Sequence, residues 1–254
     1  MKAAGRRLRV RELLESREFV DLETLCHDLG ASESSVRRDL IALEREGLLK
    51  RVYGGALALE ARGRELDFEW RSARMADEKK RIGAVAAGLI EDGQTVILDG
   101  GSSVAFAAQR LTSRSLHVIT NSLPIADLLG EARQIEVTLT GGYLYPRLRV
   151  LVGPVCEQML SGVSADALIM GIGGVTEAGF SNNNTLVVGH ERKMIDAARK
   201  VIIVADHTKF GRGSVIHLAP LDVADVVISD SALSPEYQAL LKSHGVEVLL
   251  AAPC

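Results

Sequence analysis

The sequence predicts an α/β protein in two parts, a small N-terminal winged helix-turn-helix joined to a larger, open and mostly parallel sheet domain with helices on both faces. Three features predict it. Short amphipathic helices flank a two-residue turn near the N-terminus, helix and strand alternate from Asp77 onward, and glycine or polar clusters recur where strands hand over to helices. The expected boundaries are a small domain over 1–59, a linker over 60–76 and a large domain over 77–254.

The N-terminal elements follow from apolar spacing. Val10, Leu13 and Leu14 form the stripe of a first helix. Asp21 is placed to cap a second, whose Leu22, Leu25, Cys26 and Leu29 recur at helical spacing, and Gly30 stops it. After Ala31, Ser32 is placed to cap a third helix with Val36, Leu40 and Leu43 on its buried side and Gly47 at its end. Two helices joined by so short a turn must cross steeply. Leu48 to Leu59 then reads as a hairpin around Gly54-Gly55, a wing carrying Lys50, Arg51 and Tyr53.

The third helix has a polar, basic outer side near its start, made by Ser34, Ser35, Arg37 and Arg38. A helix of this kind fits a major groove, with hydroxyls and a guanidinium fork at base edges and a further arginine at phosphate. The candidate nucleic-acid contacts are therefore Ser32, Ser34, Ser35, Arg37, Arg38, Lys50, Arg51 and Tyr53. Spacing alone serves a protein-docking module equally well, with the arginines as a solvated face.

Charge and composition narrow the classes. The net charge of −3 argues against a chain that coats nucleic acid indiscriminately. The basic residues nonetheless cluster, at Arg6 to Arg11, Arg37-Arg38 and Lys50-Arg51, within a segment 1–55 whose 11 Lys/Arg nearly balance its 10 Asp/Glu. Cys26, Cys156 and Cys254 are odd in number and far apart, so reduced thiols are expected and a zinc site is not. The six histidines show no helical pairing for a metal. No apolar run is long enough to span a bilayer, so a cytoplasmic location without membrane association is expected.

In the large domain, a helix bearing Ile82, Val85, Ala86 and Leu89 precedes a strand Thr95–Leu98, and Asp99 to Ser103 leads into a helix from Val104 to Leu111. Strands follow at Leu116–Thr120, Ile135–Thr140, Ala165–Met170, Val201–Ala205, Val226–Ser229 and Val246–Leu250, with a helix opened by Ser234-Pro235 before the last. In open parallel sheets ligands collect outside the carboxyl ends of the strands. Gly101, Ser102 and Ser103 at a strand-to-helix turn offer N–H groups, hydroxyls and a helix dipole to a phosphate monoester. Asp99, Thr120, Asn121, Gly141, Gly142, Asp206 and Lys209 lie at successive strand ends and complete the candidate ligand site, with Lys209 as the cation.

Two sets of runs carry a resemblance. LGASESSVRRDLIALEREGLLKRVYGGA, an ungapped match over some 28 positions, resembles the DNA-binding signature of the DeoR family of bacterial repressors, with Tyr53 where the family usually has His. VILDGGSS, VITNSLPIADLL, TGGYLYPRLRVLVGP, ALIMGIGGVTEAGFS and VIIVADHTKFG resemble the family's effector domain, whose fold is similar to ribose-5-phosphate isomerase. The resemblance covers roughly residues 6 to 230 and implies a repressor of a carbohydrate-catabolism operon. Its implied partners are double-stranded operator DNA, a phosphorylated sugar effector and further copies of itself, as a homodimer or higher homo-oligomer. It implies neither a cofactor nor a catalytic residue. Departures from the family pattern are Ser102-Ser103 for Thr-Thr, a linker without Pro, Gly173 where some members have Asp, and no Glu at Val187-Val188-Gly189 where members commonly carry one nearby.

Two enzyme readings compete. An isomerase with an accessory DNA-binding domain can draft Asp99, Asp206 and Lys209 for proton transfer, but the turn after Met170 holds no carboxylate. A dinucleotide-dependent oxidoreductase is weaker, since Gly171 to Gly174 lacks the third spaced glycine and the downstream acid.

Overall fold

The computed structural model describes residues 3–16, 19–45, 48–52, 54–58 and 68–252, in two compact units that divide after Leu66. Tyr53, Gly47, Cys254 and the linker stretch 60–67 lie outside the described residues, as does the side chain of Lys50.

The first unit contains α1 (Ala3–Ser16), β1 (Phe19–Asp21), α2 (Leu22–Leu29), α3 (Glu33–Arg45), β2 (Leu49–Val52) and β3 (Gly55–Ala58). The helical stripes converge on one core. Val10, Leu13 and Leu14 of α1, Leu25 and Leu29 of α2, and Val36, Leu40 and Leu43 of α3 are buried together with Val20, Leu49 and Ala56. Asp21 caps α2 as expected, its carboxylate accepting from the Thr24 N–H at 2.7 Å and from the Thr24 hydroxyl at 2.7 Å. Gly30 ends α2 in the left-handed conformation at φ 54°, which only a residue without Cβ adopts at little cost. β2 and β3 form the wing, and β1 adds to it antiparallel, Val20 opposite Ala56, in the order β1-β3-β2.

The second unit begins with α4 (Phe68–Ala73), so the part of the expected linker that is described here is helix, tied by the Phe68 N–H to the Arg147 carbonyl at 2.9 Å. There follow α5 (Ala76–Gly88), β4 (Thr95–Leu98), α6 (Ser102–Leu111), β5 (Leu116–Thr120), α7 (Leu123–Gly130) and β6 (Ile135–Leu139). After a hairpin of β7 (Tyr143–Tyr145) and β8 (Val150–Val152) come α8 (Pro154–Leu160), β9 (Ala167–Gly171), β10 (Gly174–Thr176), β11 (Gly179–Asn182) and α9 (Thr185–Ala197). The chain continues with β12 (Val201–Val204), β13 (Ile216–Ala219), β14 (Val226–Asp230), α10 (Pro235–Ser243) and β15 (Glu247–Ala251).

Seven strands form a wholly parallel sheet in the order β15-β14-β12-β9-β4-β5-β6, the architecture expected from the alternation. Its strands alternate between two cores. Val96, Leu98, Ile202 and Val204 face the helices that carry Ile82, Leu111 and Ile125. Ile97, Leu168, Met170 and Ile203 face those that carry Cys156, Met194 and Leu241. β10, β11 and β13 make a separate antiparallel sheet. Among the described residues, no helix is long and apolar enough to cross a membrane.

The strand order positions the site. From β4 the chain steps outward through β5 and β6, then returns to lay β9 on the other side of β4. The β4–β9 pair is thus the switch point of the sheet, where crossovers diverge to opposite faces, the position at which open parallel sheets take ligands. A Cβ on Gly101 would stand 3.4 Å from the Gly171 Cα, so these two glycines let the turns after β4 and β9 approach closely.

Candidate functional site

On the first unit, the outward side of α3 is assembled as its spacing implies. Ser32, Ser34, Arg37 and Arg38 are exposed and Ser35 is half-buried. The Ser32 carbonyl accepts the first helical bonds, from Ser35 at 2.9 Å and Val36 at 3.0 Å, so Ser32 stands at the cap position. Its hydroxyl meets the hydroxyls of Ser34 and Ser35 at 3.2 and 3.0 Å.

The cations are not all equivalent. Arg37 pairs with Glu33 one turn earlier at 2.6 Å, both more than half exposed. Arg38 reaches back to the Ser34 carbonyl, at 3.3 Å. Arg51 on the wing is held by Glu44 of α3, through its backbone N–H at 2.8 Å and its Nε at 2.6 Å. These are exposed pairs, each worth a fraction of a kcal/mol up to about 1 kcal/mol, which a phosphate can displace. The N-terminal basic cluster has an inward role that its charge alone does not suggest, because Arg6 and Arg7 bond the buried Asp39 at 2.8 and 3.4 Å.

At the carboxyl edge of the large sheet, α6 begins at Ser102 rather than Val104, with Gly101 at its cap position. The N–H groups of its first turn have no carbonyl within the helix to bond, and Ser102 and Ser103 lie buried in that turn. Asp99, at the end of β4, is also buried. Burial pushes its carboxyl up to about 6, against the Gly100 N–H, the Arg71 charge and the Gly171 N–H, which pull it down.

Three other expected site residues carry structural duties. The Thr120 hydroxyl donates to the Leu98 carbonyl at 2.6 Å and accepts from the Ser122 N–H at 3.1 Å, so it is committed to joining β4 and β5. Asp206 caps the 3-10 turn His207–Lys209, accepting from the Thr208 N–H at 3.1 Å and from the Thr208 hydroxyl. Gly142 has φ 115°, and a Cβ there would lie 2.6 Å from the Val152 carbonyl oxygen, so it serves the backbone of the loop, beside Gly141 at φ 74°.

Charged residues absent from the sequence-derived site come into it. Arg71 of α4 lies in the field of Asp99, Glu191 and Asp206; burial draws its guanidinium below the ordinary value and these three carboxylates oppose that. Lys79 of α5 is buried and its ammonium donates to the Arg71 carbonyl. Burial lowers Lys79 to about 8, opposed by Asp206 and reinforced by the charges of Arg71, Lys209 and Arg74. Lys209 is near enough to Lys79 for its charge to add to that lowering.

Glu191, on α9, supplies a carboxylate that the pattern around residues 173 and 187–189 does not suggest. It is buried, accepts from the Asn182 amide at 2.6 Å, and is raised well above the ordinary value by burial and then by Asp99. The space at Gly173 is already filled: a Cβ there would stand 2.6 Å from the same Asn182's Oδ1. At Gly189 a Cβ would stand 2.7 Å from the Glu157 carboxylate.

Asn121, at the end of β5, is fully enclosed. Its amide nitrogen lies 3.3 Å from the Leu151 carbonyl and 2.9 Å from His190 Nε2. Its Oδ1 has no hydrogen-bond partner among the described residues, and neither has Glu191 Oε2. No group of three or more His, Cys, Asp or Glu is placed to hold a metal ion among the described residues.

Comparison with known proteins accounts for both units. A model described as the DeoR-like helix-turn-helix domain matches residues 6–62, and one described as the DeoR C terminal sensor domain matches residues 74–231. The chain is 34% identical over 245 residues to the HTH-type transcriptional repressor GlcR of Bacillus subtilis (strain 168), covering 94% of this chain and 93% of that one. It is 32% identical over 251 residues to the HTH-type transcriptional regulator GlpR of Haloferax volcanii, covering 98% of each. It is also 29% identical over 252 residues to the glycerol-3-phosphate regulon repressor of Escherichia coli (strain K12), covering 98% and 100%. Among solved structures, ribose 5-phosphate isomerase A from Methanocaldococcus jannaschii superposes with a TM-score of 0.39 at 17% identity, over 53% of this chain and 54% of that one, a likeness too slight to bear on activity. With a winged helix-turn-helix ahead of an α/β sensor domain, and with relatives aligned along nearly its whole length, this chain belongs to the DeoR family of DNA-binding transcriptional regulators.

Proposed function

We propose that the chain represses a carbohydrate operon by holding double-stranded operator DNA with the outer side of α3 and the wing, and that a phosphorylated sugar bound at the β4–β9 switch point releases it. The observation that carries this reading is the meeting, at one sheet edge, of the open first turn of α6 with the cations Arg71, Lys79 and Lys209 and the buried polar groups Asp99, Asn121 and Glu191. Backbone N–H groups and cations suit a dianionic phosphate, and enclosed oxygens suit hydroxyls. Relatives named for repression, one of them of a glycerol-3-phosphate regulon, support the same class of effector.

In this reading Ser32, Ser34, Ser35, Arg37, Arg38, Lys50, Arg51 and Tyr53 face DNA. Gly101, Ser102, Ser103 and Lys209 hold the phosphate, while Asp99 and Asn121 face the sugar. Thr120, Gly141, Gly142 and Asp206 shape the loops around them. The protein works in the cytoplasm as a homodimer or higher homo-oligomer, because one recognition helix makes too few base contacts for operator-level specificity. It needs no cofactor and turns nothing over. Arg71 offers a route for coupling, since it sits on the helix that makes up the described part of the linker and lies in the field of the site's carboxylates.

Thermal-shift screening of the full chain against phosphorylated sugars, followed by operator release in a gel-shift assay, tests this reading. A sugar phosphate that stabilises the protein and frees DNA in wild type, but fails to free it from Lys209→Ala, is the expected result. A panel with no binder overturns it. The isomerase reading has one observation in its favour, two buried carboxylates, with the charge of Asp99 raising Glu191. Sugar-phosphate interconversion that disappears in Asp99→Asn would replace regulation by catalysis as the sensor domain's task.

A further inference from the structure

Neutral histidine has one N–H and one bare nitrogen, and a backbone carbonyl accepts but cannot donate. His190 Nδ1 lies 3.0 Å from the Leu186 carbonyl, so Nδ1 carries the hydrogen. Burial, opposed by that bond, lowers the ring to about 4, so it is uncharged near neutral pH and its Nε2 only accepts. The Asn121 group 2.9 Å from Nε2 must then be its NH2, and the second amide hydrogen goes to the Leu151 carbonyl. Both donors of Asn121 are consumed internally. Its carbonyl oxygen is thereby fixed in one direction, near the Gly100 turn, where a Cβ on Gly100 would stand 3.5 Å from it.

Glu191, the next residue on α9, repeats the pattern. Asn182 holds Oε1 at 2.6 Å and leaves Oε2 enclosed without a partner among the described residues. Buried oxygens are rarely left unpaired because desolvation without a hydrogen bond is costly, so two held by neighbours at a sheet's ligand edge imply a missing donor. The same electrostatic neighbourhood holds Asp99 and Arg71.

We infer that Asn121 Oδ1 and Glu191 Oε2 are the hydroxyl-reading atoms of the effector site, specific for a polyhydroxylated phosphate over a bare one, and that His190 is the positioning residue that aims Asn121. This rests on the sugar-phosphate reading above and adds to it the groups that set specificity. An internal hydroxyl donates to Asn121 Oδ1, and a neighbouring hydroxyl donates to Glu191 Oε2, an acceptor that an amide nitrogen cannot replace.

The test is isothermal titration of the full chain with inorganic phosphate, glycerol 3-phosphate, fructose 6-phosphate and sorbitol 6-phosphate, for wild type, Asn121→Ala, Glu191→Ala, Glu191→Gln, His190→Leu and His190→Gln. In wild type at least one organic phosphate binds more tightly than inorganic phosphate. Asn121→Ala and Glu191→Ala each shrink that preference by about tenfold or more while inorganic phosphate affinity and operator binding stay as they were. Glu191→Gln keeps the bond to Asn182, preserves the fold if the alanine does not, and also shrinks the preference. His190→Leu removes the acceptor, frees the amide to turn and weakens the preference; His190→Gln restores it because its carbonyl accepts in place of Nε2. An unchanged preference in Asn121→Ala and in both Glu191 variants overturns the inference alone, and so does a water-filled site with equal loss for all four ligands. Failure of every organic phosphate to bind wild type overturns the effector reading and this inference with it.

Discussion

Arg6 on α1 donates to Asp39 on α3 at 2.8 Å, and the Asp39 side chain is only 4% exposed. Asp39 belongs to the Arg37-Arg38-Asp39 run, yet its neighbours point outward while it fastens α3 to α1. Removing the carboxylate leaves Arg6, itself mostly covered, without this partner. Asp39→Ala should therefore cost about 2 to 4 kcal/mol in the first unit, and Asp39→Asn, which keeps one acceptor, less. Hydrogen exchange of α1 and α3 amides in the full chain reads this directly: protection should fall in both helices together and remain intact in β4 and β9. Unchanged protection would mean that the pair does not hold the helices.

Glu33 and Arg37 form the opposite kind of pair, exposed and easily exchanged. DNA phosphate must displace Glu33 to take Arg37, at about 0.3 to 0.5 kcal/mol for an i,i+4 pair. Glu33→Gln should raise affinity for non-cognate duplex about twofold, and Glu44→Gln should act similarly through Arg51. Arg37→Ala with Arg38→Ala should abolish operator binding and lower the slope of log affinity against log salt by about one for each arginine on phosphate, with sugar-phosphate binding unaltered. A slope that ignores both arginines would remove them from the interface.

The elements most legible in the sequence were those with a sustained period or a fully buried run. Val36, Leu40 and Leu43 announce α3, and the aliphatic runs Thr95–Leu98 and Leu116–Thr120 coincide with β4 and β5 because turn residues bracket them. β1, β7, β8 and β10 have three residues each, too few for a period of two, and escape notice for that reason. α9 is hidden because its buried side mixes Val187 and Met194 with His190 and Glu191, which reads as a charged surface. The same ambiguity conceals half of the site. Asp99 and Asn121 stand out as polar residues at strand ends, whereas Lys79 lies in Asp77-Glu78-Lys79-Lys80-Arg81, a run that looks entirely solvated although Lys79 is 4% exposed. Only the tertiary fold reveals that its stem passes through the interior to the Arg71 carbonyl.

Asp99 and His190 make opposite contributions to the pH dependence of stability. Asp99 is raised from 3.8 to about 6, so between those values the folded state holds a proton that the unfolded state has released, and its contribution falls as pH rises. His190 is lowered from 6.5 to about 4, so in that window the unfolded state holds the extra proton, and its contribution rises with pH. Each is worth about 3 kcal/mol across its window. Chemical denaturation of the full chain between about pH 4.5 and 7 should give a wild-type minus Asp99→Asn stability difference that declines with pH, and a wild-type minus His190→Gln difference that climbs. Two profiles of the same sign would contradict the burial assigned to one of these groups.

Gly142 supplies the most local of these expectations. Its φ of 115° is strained for any residue with a side chain, and its would-be Cβ meets the Val152 carbonyl oxygen at 2.6 Å, a backbone atom that cannot swing aside as a side-chain end can. β8, which ends at Val152, also supplies the Leu151 carbonyl that fixes Asn121. Gly142→Ala should therefore cost about 2 to 4 kcal/mol and, by shifting β8, loosen Asn121 as well. In the same titrations used for Asn121→Ala, it should reduce the preference for organic over inorganic phosphate while leaving operator affinity unchanged. A Gly142→Ala protein with wild-type stability and wild-type preference would show that the loop can move away from β8, and would detach residues 141 and 142 from the site.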